Sequence, residues 1–223
     1  AFSVFNPATV IPSVAYGWSL TDAATICAAR DNGAIAQLVR LLGESPDGVT
    51  TARAILLRAT EVLRPEGRAL FGGLRSLPLP GTELGDVWRL GDMLREYRGD
   101  SHTAAWISAG LTACEIGLMS ELYWGLPIKS YSRTRAWSED DYSEAIENLQ
   151  RLGCITSDGE LTPHGRDVRE QIEVNTDKQM DCVLRAIGAD VNELITILKP
   201  WGAAIRAGRA AHRRRCRPHD PLG

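Results

Sequence analysis

WSEDDYSEAIENLQRLGCITSDGELTPHG, from Trp137 to Gly165, is the stretch on which the fold turns. Ser138 suits a helix N-cap, and Asp141, three residues on, suits the positively polarised first turn behind it. Tyr142, Ala145, Ile146, Leu149 and Leu152 recur at helical spacing and define one apolar face. Gly153 stops that helix. Cys154-Ile155-Thr156 and Glu160-Leu161-Thr162 flank Ser157-Asp158-Gly159, and Asp-Gly between two short β-compatible runs predicts a hairpin. Thr162 and Pro163 read as the cap and first position of the next helix. Helix, hairpin, helix is the wing half of a winged helix-turn-helix, so a mainly α fold with a small β-hairpin wing is expected.

Working outward, Ile128 to Arg135 is read as the short support helix before the motif. His102 to Trp124 is apolar on most sides, which predicts one buried helix as the central strut. Upstream, Gly99 fits a helix end and Asp100 or Ser101 a new cap, so Thr82 to Tyr97 forms a separate helix. Leu77-Pro78-Leu79-Pro80-Gly81 is the clearest break. It divides an N-terminal helical half, 1–80, from the winged half, 81–205, against which it packs. Helices are predicted in the first half over Ala23–Leu42, from Thr50 or Thr51 to Leu63, and from Pro65 to Leu74. Phe2 to Trp18 reads as an extended or short-helical lead-in packing its rings on the helices after it. A long helix from Pro163 to Ile187 serves dimerisation or closes the core, and Val191 to Leu198 is stopped by Pro200. Residues 206–223, rich in Arg, read as a basic disordered tail.

The 223 residues suffice for one large or two small domains. A net charge of −3 lends no support to a dedicated nucleic-acid domain, so the distribution of charge has to decide. Cys27, Cys114, Cys154, Cys182 and Cys216 are scattered without a C-x-x-C pair, which fits reduced thiols in a cytoplasmic protein. Ala104 to Ile128 contains Glu115 and Glu121, which argues for a buried helix rather than a membrane span. A start at Ala-Phe-Ser rather than Met suggests a processed or truncated N-terminus.

Arg64-Pro65-Glu66-Gly67-Arg68-Ala69-Leu70-Phe71, Leu94-Arg95-Glu96-Tyr97-Arg98-Gly99-Asp100-Ser101-His102, Trp137-Ser138-Glu139, and Leu161-Thr162 with Gly165-Arg166 together resemble an actinobacterial SalK-like helix-turn-helix family. The winged part also resembles MarR-type regulators, in which a helix enters the major groove and the hairpin touches the flanking backbone. These resemblances imply a regulator. Family members carry a further helical segment before the point where this chain starts.

Affinity for a duplex comes largely from Lys and Arg displacing counterions. Between Ser138 and Leu161 the acids are Glu139, Asp140, Asp141, Glu144, Glu147, Asp158 and Glu160, against the single base Arg151. Lys129, Arg133 and Arg135, just before the helix, are the candidate phosphate contacts; Asn148 and Arg151 are the candidates near base edges. The first reading is therefore a ligand-responsive, DNA-binding transcriptional regulator, dimeric, with double-stranded DNA and a small molecule as partners and no cofactor.

The alternative retains the winged shape without DNA binding, as a small-molecule binder or cofactor-independent enzyme. Its pocket lies near Arg98, Asp100 and His102, at the expected corner between two helices. There His102 serves as a neutral base, Asp100 orients it, and Arg98 holds an anionic group. A third reading makes the acidic helix face a protein-docking surface. His212, Cys216 and His219 are too few and too exposed in sequence to predict a metal site, and no phosphate loop, G-x-S-x-G or H-E-x-x-H occurs.

Overall fold

The structure, a computed structural model, describes residues 4–215, with side chains through Gly208. In order along the chain are α1 (Pro7–Leu20), α2 (Ala23–Leu42), α3 (Val49–Glu61), α4 (Ala69–Arg75), α5 (Glu83–Ser108) and α6 (Ala113–Tyr123). A 3-10 turn (Ser132–Arg135), α7 (Glu139–Arg151), α8 (Pro163–Ile187), a second 3-10 turn (Gly188–Asp190) and α9 (Val191–Arg215) complete the order. No helix among the described residues is long and apolar enough to cross a membrane.

Two compact units form, each drawing on three stretches of chain. One comprises Ala1–Asp22, Pro65–Gly73 and Arg95–Asp181, the other Ala23–Arg64, Leu74–Leu94 and Cys182–Gly223. Neither is a continuous segment such as 1–80 or 81–205.

In the first unit, Trp106, Leu118, Met119, Tyr142, Leu149, Ile155 and Ile172 lead a buried cluster gathered from α5, α6, α7 and α8. Cys114 and Cys154 sit in the same cluster. Burial, then the carboxylates of Asp141, Glu115 and Glu121, push the Cys114 thiol up to about 12, so it behaves as a small apolar group. In the second unit α9 packs on α2 and α3. There the N-terminal half of α5 presents charges to its neighbours: Arg53 pairs with Asp86 at 2.7 Å, Arg30 with Asp92 at 2.5 Å, and Arg89 with Asp31 at 2.6 Å.

The expected winged fold is not what forms. Among the described residues there is no β-strand; Ile155 and Leu161 make one isolated antiparallel bridge. The backbone bonds are Thr156 N–H to the Glu160 carbonyl at 2.8 Å and Thr162 N–H to the Cys154 carbonyl at 3.0 Å. The ladder cannot lengthen, because both flanks already belong to helix ends. Cys154 N–H closes the C-terminus of α7 on the Leu149 carbonyl, and the Thr162 hydroxyl accepts Gly165 N–H at the start of α8. Three residues on each side of the turn leave room for a single pair. The mainly α character stands.

Three helix limits also differ from expectation. Gly99 and Asp100 lie inside α5, whose chain continues to Ser108. The break falls instead at Ala109–Thr112: Gly110, at φ 77°, ends α5 with the paired bonds Leu111 N–H to Trp106 O and Gly110 N–H to Ile107 O. Thr112 and Glu115 then form a capping box that starts α6. Residues 7–20, expected to pack their rings inward, form the helix α1, none of whose residues is buried. Finally, α9 continues through Pro200 to Arg215, so residues 206–215 are helical; residues 216–223 lie outside the described part.

Candidate nucleic-acid interface

The stretch read as the DNA-facing part of the fold runs through α6, the 3-10 turn and α7. Its middle segment is held by short-range backbone bonds, Ser130 N–H to the Pro127 carbonyl and Thr134 N–H to the Tyr131 carbonyl, and by one side chain. Glu121, 1% exposed near the end of α6, accepts the N–H groups of Lys129 at 2.7 Å, Tyr131 at 2.6 Å and Ser132 at 2.5 Å. These donors end on one carboxylate, and where a helix is expected over Ile128–Arg135 only the single 3-10 turn Ser132–Arg135 forms. The φ values of Lys129 and Ala136, 64° and 61°, mark where the backbone enters and leaves it.

At its other edge the motif is fixed by caps. The Ser138 hydroxyl accepts Asp141 N–H at 3.1 Å, and the Asp141 carboxylate accepts Ser138 N–H at 2.8 Å, a complete capping box for α7. Hydrogen bonds from the Ser138 backbone and hydroxyl, aided by one from Asn6, hold Asp141 below the usual carboxylate range against the contrary pull of burial. Asn6 also anchors the root of α1 here, donating its Nδ2 to Asp141 Oδ2 at 3.0 Å and its N–H to the Arg135 carbonyl at 2.9 Å.

The five residues singled out for DNA separate into two groups. Arg133 is exposed and makes no hydrogen bond or ion pair among the described residues. Arg135 stacks its guanidinium on Phe5, 4.6 Å from the ring centre, and on Tyr131, 4.8 Å, and also bonds the Tyr131 hydroxyl. Lys129, by contrast, is neutralised by Glu139 at 2.6 Å and lies over the Tyr142 ring. Arg151 donates to the Asn148 side-chain oxygen at 2.6 Å. Asp140, Glu144 and Glu147 are all exposed on α7, so its solvent face is acidic. Asn148, Glu144, Asp141, Trp137, Glu115 and Thr112 border a recess of about 150 Å³ between α6 and α7.

The three residues of the alternative site are not brought together. The Asp100 carboxylate accepts Phe71 N–H at 2.9 Å, at the start of α4. Arg98 and His102, one turn apart on α5, both face Glu173 of α8, at 2.7 and 3.7 Å. Arg169 joins them, with its Nη1 2.5 Å from Glu173 and its Nε donating to the Ser120 hydroxyl. Thr176 gives its own hydroxyl proton to the Ile172 carbonyl, so it accepts from His102 Nδ1 at 3.1 Å, which selects the tautomer protonated there. Burial pushes the His102 pKa below its ordinary value; Glu173 opposes and Arg169 and Arg98 reinforce the shift. Burial alone would raise Glu173, but the bonds and charges of Arg169 and Arg98, with His102, leave it net lowered. This is a closed polar network joining α5, α6 and α8.

Glu121 was not among the sequence candidates, nor were Thr112, Glu115 and Asn6. Only the Thr112-x-x-Glu115 pair carried a readable signal, the spacing of a capping box. Cys216 and His219 of the terminal cluster fall outside the described residues, as does the side chain of His212; among the described residues no group of three or more His, Cys, Asp or Glu side chains is placed to hold a metal. Compared with known proteins, residues 1–212 match a helix-turn-helix family. No curated protein and no solved structure matches the chain.

Proposed function

The chain belongs to a helix-turn-helix family, and on that premise we propose that it is a DNA-binding transcriptional regulator that meets the duplex with the turn before α7. The observation carrying this reading is the uncompensated guanidinium of Arg133 beside that of Arg135 on the 3-10 turn. Arginine there can reach phosphates, while Arg151 and Asn148, near the C-terminal end of α7, approach base edges. Glu144 and Glu147, one turn before Asn148 and Arg151, share that face of α7, so the affinity for phosphates has to come from the cations on the 3-10 turn. A small effector acts at the recess beside Asn148, which has room for only a few non-hydrogen atoms.

Fluorescence anisotropy against a pool of duplexes at low ionic strength tests the proposal. Binding that weakens about tenfold or more in Arg133→Ala/Arg135→Ala is expected. Wild-type protein without duplex affinity at low salt would remove it.

The exposed acidic face of α7 favours a second reading, a protein-docking module built on the same helices. It predicts capture of a basic protein partner that is lost in Glu144→Lys/Glu147→Lys and indifferent to Arg133→Ala.

A further inference from the structure

In the second unit the turn after α2 and the face of α9 from Thr196 to Ala204 enclose a recess of about 610 Å³. Leu41, Pro46, Ile197, Pro200 and the buried Trp201 give it apolar walls. The walls are pinned to each other at two places, so the recess exists before anything enters it. A Cβ on Gly48 would stand 2.7 Å from Ile197 Cγ1, and further along α9 Gly208 lies directly against Leu41. Size and lining are those of a small-molecule site, commonly about 300–1,000 Å³ and mostly apolar with a few polar groups.

The polar groups select the ligand. The Asp47 carboxylate is exposed at the rim and makes no hydrogen bond or ion pair among the described residues. Pro200 has no N–H, so the carbonyl of Thr196 lacks the helical partner four residues on. Both groups are acceptors. No Lys, Arg or His lines the recess; Lys199 and Arg206, the cations on this part of α9, fall outside the lining. An anion would meet a carboxylate with no cation to offset it. A cation meets that carboxylate, a free carbonyl and an indole. We propose that the recess binds an organic cation, an amine or quaternary ammonium carried on an aromatic or aliphatic body. The body fills the apolar walls, and the charged head stays at the open rim beside Asp47. This site is separate from the recess beside Asn148, which belongs to the first unit. It is measured without nucleic acid, so its failure and the failure of duplex binding are distinguishable.

Equilibrium binding of tryptamine to the whole chain at neutral pH, beside the uncharged tryptophol and the anionic indolepropionate, is the test. Tryptamine is expected to bind with a dissociation constant on the order of 100 μM. Tryptophol binds about fivefold more weakly, and indolepropionate more weakly still. Asp47→Asn weakens tryptamine by about the same fivefold and leaves tryptophol in place. The side chain is exposed, so circular dichroism melts of this variant match those of the wild type. With tryptamine bound, amide exchange slows over Gly48–Thr50 and Ile197–Ala204. No binding of tryptamine at millimolar concentration, an alcohol or anion bound as tightly, an affinity indifferent to Asp47→Asn, or slowed exchange confined to other segments would each overturn the assignment.

Discussion

At Glu121 one carboxylate accepts three N–H groups from the segment that leads into the 3-10 turn. Glu121→Gln replaces a charged acceptor with an amide that turns donors toward donors. It is expected to lower stability by about 2 kcal/mol, read as a shifted urea midpoint. Gly165 is constrained by space: a Cβ there would stand 2.0 Å from the Cys154 carbonyl oxygen. Gly165→Ala therefore costs about 2 kcal/mol or more, by pushing the start of α8 off the turn. His102 gives a pH dependence. Its native pKa is lowered by burial, so below about pH 6.5 the unfolded chain binds a proton that the native chain does not. The stability is complete above that pH and is lost as pH falls from it toward the native value. Denaturation midpoints at about pH 7 and pH 5 should differ more in the wild type than in His102→Gln.

At the scale of elements, the capped helix Ser138–Leu152 is legible in the sequence because cap, apolar spacing and terminal glycine agree with one another. The segment Arg98–His102 misleads because Gly99, Asp100 and Ser101 all resemble boundary residues. The side chains of the latter two are instead engaged elsewhere: Asp100 on Phe71 N–H, Ser101 on the Tyr97 carbonyl. Gly99→Ala checks the continuity of α5 directly. The added methyl meets only the end of the Glu96 side chain, at 3.4 Å, and should stabilise by about 0.5–1 kcal/mol if Gly99 is a helix-interior residue. A loss in thermal melts would restore the break. The expected hairpin fails for a different reason: turn chemistry reports a bend, and says nothing of whether flanking residues are free to pair.

For the molecule as a whole, net charge is a poor guide to its surface, since cations and carboxylates cancel locally, as at Lys129 and Glu139. With Arg133 and Arg135 as the phosphate contacts of one copy, the logarithm of duplex affinity should fall with that of salt at a slope of about −2 per copy. Removing both should flatten it. Composition and spacing could not show the two interleaved units, because their boundaries cut through α5 and α8, where no local signal marks them. Distant parts of the sequence also meet at a single atom. Asp141 Oδ2 takes hydrogen bonds from Asn6 and from Ser138. A pull on the N-terminal arm is thus felt at the very atom that closes the first turn of α7, and whatever grasps the one end holds a lever on the other.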